Sequence, residues 1–329
     1  LEKGRKMKKL TTMFLIIFAA VCTMCSVACN SSDTGKKEDD YPNNASQGLE
    51  FKLSSDESYY SLEGIGICMD EEIVIPSMFK GKPVKVIAEE ALGNSDGVKK
   101  ITVPDSVIKI EDSAFIACKE LIEVRLPDSL TTIPESCFRM CYKLETVNIP
   151  SSLKKIGNVA FVSTAIKEIE IPDSVTLFGD SIFQYCSSLR RVVLPSGMTT
   201  IPNQMFLECE NLSDIVLPQG IKKIGSESFG FCKNLKEIVI PDDTETIEGL
   251  AFLGCGIETI TIGKSVKHIA GGSFSCCSAL SSVIFKNLKG WTVSYFDITE
   301  QIPEVGLSDV KKAAEYLTTD YPGYSWQRV

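Results

Sequence analysis

The 329-residue chain has one histidine, His268. Any Ser-His-Asp or Cys-His arrangement for nucleophilic catalysis would have to use it as its base. It stands before the apolar Ile269, at a slot that other copies of a repeated segment fill with Lys109, Thr132, Lys155 and Thr200. A slot that takes any polar residue reads as solvent-facing, so His268 is expected to be an ordinary surface side chain. The chain carries no His-Glu-x-x-His, no Walker loop and no dinucleotide-binding glycine fingerprint. Its 43 aspartates and glutamates set no pair apart as a glycosidase acid and nucleophile. The expectation is a protein that is not an enzyme and that takes no cofactor.

Cysteine is the other residue type capable of chemistry. Cys118, Cys141, Cys186, Cys209, Cys232, Cys255 and Cys277 occupy one recurring slot, and Thr164 takes it once with no evident compensation. Zinc sites want close pairs such as Cys-x-x-Cys, and neighbouring members here are 22 or 23 residues apart. Cys22 and Cys25 have metal-site spacing but lie inside an apolar leader. On stacked coils, the Cβ vectors of neighbouring ladder cysteines would run parallel instead of converging, which opposes disulfides. The ladder is therefore read as buried free thiols acting as small hydrophobes, with no metal site. Cys137 and Cys276 fall outside the slot.

Cys29 points to a different chemistry. Met7-Lys8-Lys9 begins a basic stretch, and the apolar run Met13 to Ala28 follows. That run is short for a membrane span, which needs about 20 residues, and suits the core of an export signal. It ends in Ser26-Val27-Ala28-Cys29. Residues 1–28 resemble a bacterial lipoprotein signal, which implies cleavage before Cys29 and a lipid on its thiol. The small Ser26 and Ala28 also suit ordinary signal-peptidase cleavage. Residues 29–47 contain almost no apolar side chains and read as a flexible tether. Beyond residue 28 the chain has 29 basic and 42 acidic side chains. So acidic a surface opposes nucleic acid and anionic lipid headgroups as partners, and leaves the lipid anchor as the membrane contact.

The elements that must position these residues repeat. Phenylalanine recurs at Phe115, Phe138, Phe161, Phe183, Phe206, Phe229, Phe252 and Phe274, and proline at Pro104, Pro127, Pro150, Pro172, Pro195, Pro218 and Pro241. The period is 23, with two 22-residue copies ending at Pro172 and Gly263. Such a period marks a solenoid, whose units bury their apolar sides only against their neighbours. In Leu121-Ile122-Glu123-Val124-Arg125-Leu126-Pro127, Val124 and Leu126 face one way, and Glu123 and Arg125 the other. That is a half-buried strand by its period of two. The closing proline has no N–H to donate and ends the ladder. A second apolar pair, Leu130 and Ile133, follows, and then Phe138, Cys141 and Leu144. The expected fold class is a β-rich solenoid of leucine-rich-repeat-like coils with a parallel sheet. Residues 105–286 hold eight repeats. Residues 48–104 form an N-terminal β-hairpin cap and a degenerate first coil. Residues 287–329 form a small C-terminal α/β cap, with a helix capped by Ser308 and turning Val310, Ala313, Ala314 and Leu317 to one face.

The outward strand positions are the candidate ligand surface. The central row runs Thr102, Arg125, Asn148, Glu170, Val193, Val216, Val239, Thr261, Ile284. Its second half is a β-branched stripe, expected to form one continuous row with side chains about 5 Å apart. Strand propensity alone accounts for exposed β-branched residues. A contiguous exposed apolar surface also marks partner sites. On that reading Val193, Val216, Val239 and Ile284 would be the anchors, with Arg191, Asp214 and Glu237 as a charged rim. Neither this row nor the neighbouring outward row, Glu123, Thr146, Glu168, Arg191, Asp214, Glu237, Thr259 and Ser282, carries an aromatic residue, which opposes a carbohydrate platform.

The motif Leu-x-x-Val-x-Leu-Pro-Asp-Ser-Leu-x-x-Ile-x-x-x-x-Phe-x-x-Cys at 121–141, with its copies, resembles the BspA-type leucine-rich repeat proteins of bacterial surfaces. The lead-in Ile73-Val74-Ile75-Pro76 with Gly81-Lys82-Pro83-Val84 shares that resemblance, as do Gly290-Trp291 and Tyr324-Ser325-Trp326. Proline follows the strand here, and the asparagine ladder of the commoner leucine-rich repeat is missing. The resemblance implies a surface-exposed solenoid, and some members are adhesins for host matrix proteins or other bacteria. The expectation is a lipid-anchored monomer at the cell surface that binds a host or bacterial surface protein. The alternative is a structural or envelope-organising module without a soluble ligand.

Overall fold

A computed structural model describes residues 44–328. Each coil has three sides. The first carries the strands Glu72–Val74, Lys100–Thr102, Glu123–Arg125, Thr146–Val147, Glu168–Glu170, Arg191–Val193, Asp214–Ile215, Glu237–Val239, Thr259–Ile262 and Ser282–Phe285. Neighbouring coils pair in parallel with inward positions in register, as in Val192 opposite Ile215 and Ile238 opposite Ile260. The second side carries shorter strands such as Lys155–Ile156 and His268–Ile269. Val124, Leu126, Leu130 and Ile133 are all buried, so the period-two reading of the strand holds.

The third side is a train of turns whose ladder runs from Phe115 to Phe274. Phe138 N–H donates to the Ala160 carbonyl at 2.8 Å, and Phe229 N–H to Ala251 at 2.8 Å. Every repeat phenylalanine is buried, and consecutive rings stack at centroid distances of 5.3 to 5.8 Å. Two residues per coil take a left-handed backbone, among them Ser136 and Met140, then Val159 and Ser163. Their N–H groups point along the stack: Ser136 donates to Asn158 and Met140 to Val162.

The ladder cysteines are buried and free. Each has a hydrogen-bonding task. The thiols of Cys141, Cys186, Cys209 and Cys277 donate to the carbonyls of Phe115, Phe161, Phe183 and Phe252, one coil back, at 3.1, 3.0, 3.0 and 2.9 Å. Cys255 reaches the Cys232 carbonyl instead, at 3.3 Å. Thr164 is compensated after all, because its hydroxyl meets Cys186 Sγ at 3.2 Å. Burial pushes the Cys209 and Cys232 thiols well above their ordinary range, Cys186 to about 11, and Cys255 and Cys277 to about 12. They are thus protonated at neutral pH, and the thiolate, the reactive form, is suppressed.

Side chains bridge the coils elsewhere. Asp112, Asn158, Asp180 and Asn203 each accept the N–H of the corresponding residue one coil on, at 3.0 to 3.2 Å. This ladder of side-chain acceptors starts the third side and was not anticipated from the sequence.

Both ends of the stack are covered. Glu50–Leu53 and Tyr60–Gly64 form an antiparallel hairpin, and the latter pairs with Lys82–Ile87. At the other end His268–Ile269 pairs with Ser325–Arg328, which continues to Trp291–Tyr295 and Ile298–Gln301. Trp291 and Trp326 are buried there against Phe285. Instead of one helix there is a short one, Glu304–Ser308, and then Val310–Glu315, which packs on Ser282–Phe285 and runs on into a wider π-helical turn at Tyr316–Asp320. The N-cap of the second is Asp309, not Ser308. Its carboxylate accepts both the Lys311 and Lys312 N–H groups, whereas the Ser308 hydroxyl donates back to the Val305 carbonyl. Ala313, Ala314 and Leu317 are buried as expected, and Val310 stays 37% exposed at the helix start.

Candidate binding surface

The outward row of the first side is open to solvent. Val216 is 79% exposed, Val239 47% and Ile284 43%, while Val193 and Thr261 are half-buried. The C-terminal helices pack on the last strand without covering the row. Arg191, Asp214 and Glu237 are exposed beside it, and Arg191 Nε lies 3.0 Å from Asp214.

The backbone pairing beneath this row is not continuous. The first side divides into sheets of four, three and three strands, with interruptions after Thr146–Val147 and after Asp214–Ile215. Val193 lies on the second sheet and Val216 just past its last strand, whereas Val239 and Ile284 lie on the third. At the first interruption Val147 and Ile149, both meant to point inward, are only half-buried.

In several coil pairs a backbone bond closes the end of the strand. The residue after the strand donates its N–H to the outward residue of the next coil: Val103 to Arg125 at 2.9 Å, Ile171 to Val193 at 3.0 Å, Ile240 to Thr261 at 2.9 Å. At Leu126 the strands have parted and a side chain fills the gap. Asn148 Oδ1 accepts the Leu126 N–H at 2.6 Å, and Asn148 Nδ2 donates to the Leu126 carbonyl at 3.0 Å. At Leu194 the residue facing this gap is Val216. A groove of ≈ 520 Å³ opens there between Arg191, Val193, Leu194, Asp214, Val216 and Pro218. Asn148 drew no attention in the sequence as a bridging residue, since one polar residue at an outward position looks like ordinary solvation.

His268 is exposed in its short strand. Among the described residues no group of three or more His, Cys, Asp or Glu side chains could hold a metal ion. Cys29 and the segment read as an export signal lie outside the described residues.

Comparison with family models matches residues 71–190 and 199–317 to the BspA type leucine rich repeat region, in six copies. The chain belongs to the BspA-type leucine-rich repeat family. A search of curated proteins finds no match. Among solved structures, this BspA-type chain is similar to a leucine-rich repeat protein from Bacteroides ovatus. That match has 26% identity and a TM-score of 0.61, over 75% of this chain and 72% of that one. It is also similar to the T. pallidum leucine-rich repeat protein, at 27% identity and a TM-score of 0.52, over 57% of this chain and 88% of that one. Both share the coil stacking.

Proposed function

We propose that this BspA-type protein is a lipid-anchored surface protein that binds a protein or peptide along the first side of its solenoid. The observation that carries this reading is the exposed apolar row Val216, Val239 and Ile284, flanked by Arg191, Asp214 and Glu237. Exposed apolar surface with a charged border suits a protein partner better than an envelope spacer, which gains nothing from it. Rigid stacking supports the row at fixed spacing, so ordering it on binding costs little.

The experiment is retention of host-matrix and bacterial-surface proteins on the full chain. A saturable partner is expected, with affinity lowered at least about tenfold, or ~1.4 kcal/mol, by Val216→Glu. The fold should survive, because that side chain faces solvent. Arg125→Glu, on the polar half of the same row, is the matched control and should bind normally. A partner lost with the control alone would move the site to the N-terminal half. One indifferent to both would move it to the loops or caps, and no saturable partner at all would favour the envelope-organising module.

Anchoring rests on Cys29 after Ser26-Val27-Ala28. Cys29→Ser is expected to shift the protein from the membrane to the soluble fraction in its native host. A mutant that stays with the membrane, together with a wild-type chain that carries no lipid by mass spectrometry, would reject the anchor.

A further inference from the structure

We infer that the groove at Leu194 and Val216 is a receptor slot for a primary carboxamide, the asparagine or glutamine side chain of a bound peptide segment. The inference rests on the proposed binding role of the first side and specifies the chemistry that role would select.

The protein itself contains the filled version of this slot. Leu126 and Leu194 occupy the same position in their coils, the inward residue just after the strand. The residue 22 positions on is Asn148 in one case and Val216 in the other. At the first, the Asn148 amide satisfies both backbone groups of Leu126, accepting its N–H and donating to its carbonyl. At the second, the strands pair at Arg191 with Asp214 and Val192 with Ile215 and then part. The closing bond seen from Ile171 to Val193 does not form between Leu194 and Val216. A valine side chain has neither donor nor acceptor to replace it. Leu194 therefore offers one donor and one acceptor to the groove, in the pairing that an internal carboxamide already satisfies.

The groove's other walls suit a side chain delivered by a peptide. Val193, Val216 and Pro218 give it apolar sides, and the Arg191–Asp214 pair borders it with no net charge. A neutral, two-sided hydrogen-bonding group is favoured over a carboxylate, which accepts but cannot donate to the Leu194 carbonyl. An apolar group of the same size would leave both backbone groups unpaired and out of water.

The probe is acetyl-Val-Asn-Val-methylamide, titrated into the full chain and followed by backbone amide resonances. Saturable shifts are expected at Leu194 and Val216. Affinity should fall at least about tenfold for the matched peptides with aspartate or leucine at the centre. Val216→Asn should supply the amide internally, slow hydrogen exchange at the Leu194 N–H and abolish peptide binding. Asn148→Val should conversely speed exchange at the Leu126 N–H. Equal shifts from all three peptides, no shift at Leu194, or unchanged binding to Val216→Asn would overturn the inference. If Val216→Glu still loses the protein partner while the asparagine peptide fails to bind, the carboxamide slot falls and the wider binding reading stands. If no protein partner responds to Val216→Glu but the peptide binds as described, the wider reading falls and the slot stands.

Discussion

Phe183→Ala is expected to lower the unfolding free energy by ~3–5 kcal/mol, the usual cost of deleting a buried phenylalanine. Phe183 is fully buried, and its ring stacks 5.5 Å from Phe161 and 5.8 Å from Phe206. Truncation removes ring contacts on both sides and leaves a void between three coils. A solenoid holds each unit only through its neighbours, so the damage should concentrate around that coil before the whole stack unfolds. The ladder thiols report this directly. Cys186 and Cys209 bond the Phe161 and Phe183 carbonyls at 3.0 Å each, and both are buried. In the wild type they should be unreactive until denaturant is added, and then react without reductant. In Phe183→Ala they should label earlier than Cys118, which lies several coils away. His268→Ala is the control and should change stability by less than about 0.5 kcal/mol, as for an ordinary surface site. Equal costs for the two variants would reverse the assignment of inward and outward slots. A thiol count that stays near zero in denaturant until reductant is added would mean disulfides between coils.

The inward side of each coil was legible in the sequence because burial is a strong filter on residue type. Phe138, Cys141, Leu144 and their copies can be read without coordinates, since all of them but Thr164 are apolar. The task of Cys141 was not legible. Its thiol donates to a carbonyl 26 residues back, and nothing in residue identity says where that carbonyl points. The left-handed residues of the third side were missed for a related reason. Glycine is the usual signal for that conformation, and Ser136, Met140 and Val159 hold it at φ 55°, 64° and 49° without one. The N–H groups they aim into the next coil offset the strain. The exposed row was read correctly as exposed, yet its division into two sheets depends on where strands part, which period-two patterning does not encode. The Asn148 bridge depends on that parting too.

The two 22-residue copies differ in whether their strands stay paired with the coil before, and they carry the last expectation. Both drop a residue between the cysteine slot and the following inward residue: Thr164-Ala165-Ile166 in one, Cys255-Gly256-Ile257 in the other. The shorter corner pulls the backbone against the coil before it. At Gly256 a Cβ would sit 1.8 Å from the Lys233 carbonyl oxygen and 2.6 Å from its carbon, so only glycine allows that approach. There the ladder survives. Thr259–Ile262 pairs with Glu237–Val239, Gly256 N–H reaches the Cys232 carbonyl at 3.0 Å, and Glu258 N–H reaches Lys236 at 2.8 Å. The other short copy has Ala165 at the corner. Its strand Glu168–Glu170 is unpaired with Thr146–Val147, and the sheet divides. Gly256→Ala should therefore push the second corner toward the state of the first. Losing two to four ladder bonds at about 0.5–1.5 kcal/mol each predicts a cost of ~1–6 kcal/mol. Fast hydrogen exchange at the Gly256 position, Glu258 and Thr259 should accompany it, with the phenylalanine ladder on the third side still protected. Ala165→Gly alone should not harm the fold. If Gly256→Ala costs no more than an ordinary surface change and leaves exchange at Glu258 untouched, the corner residue does not control the sheet. The interruption after Thr146–Val147 would then need a cause in the strands themselves.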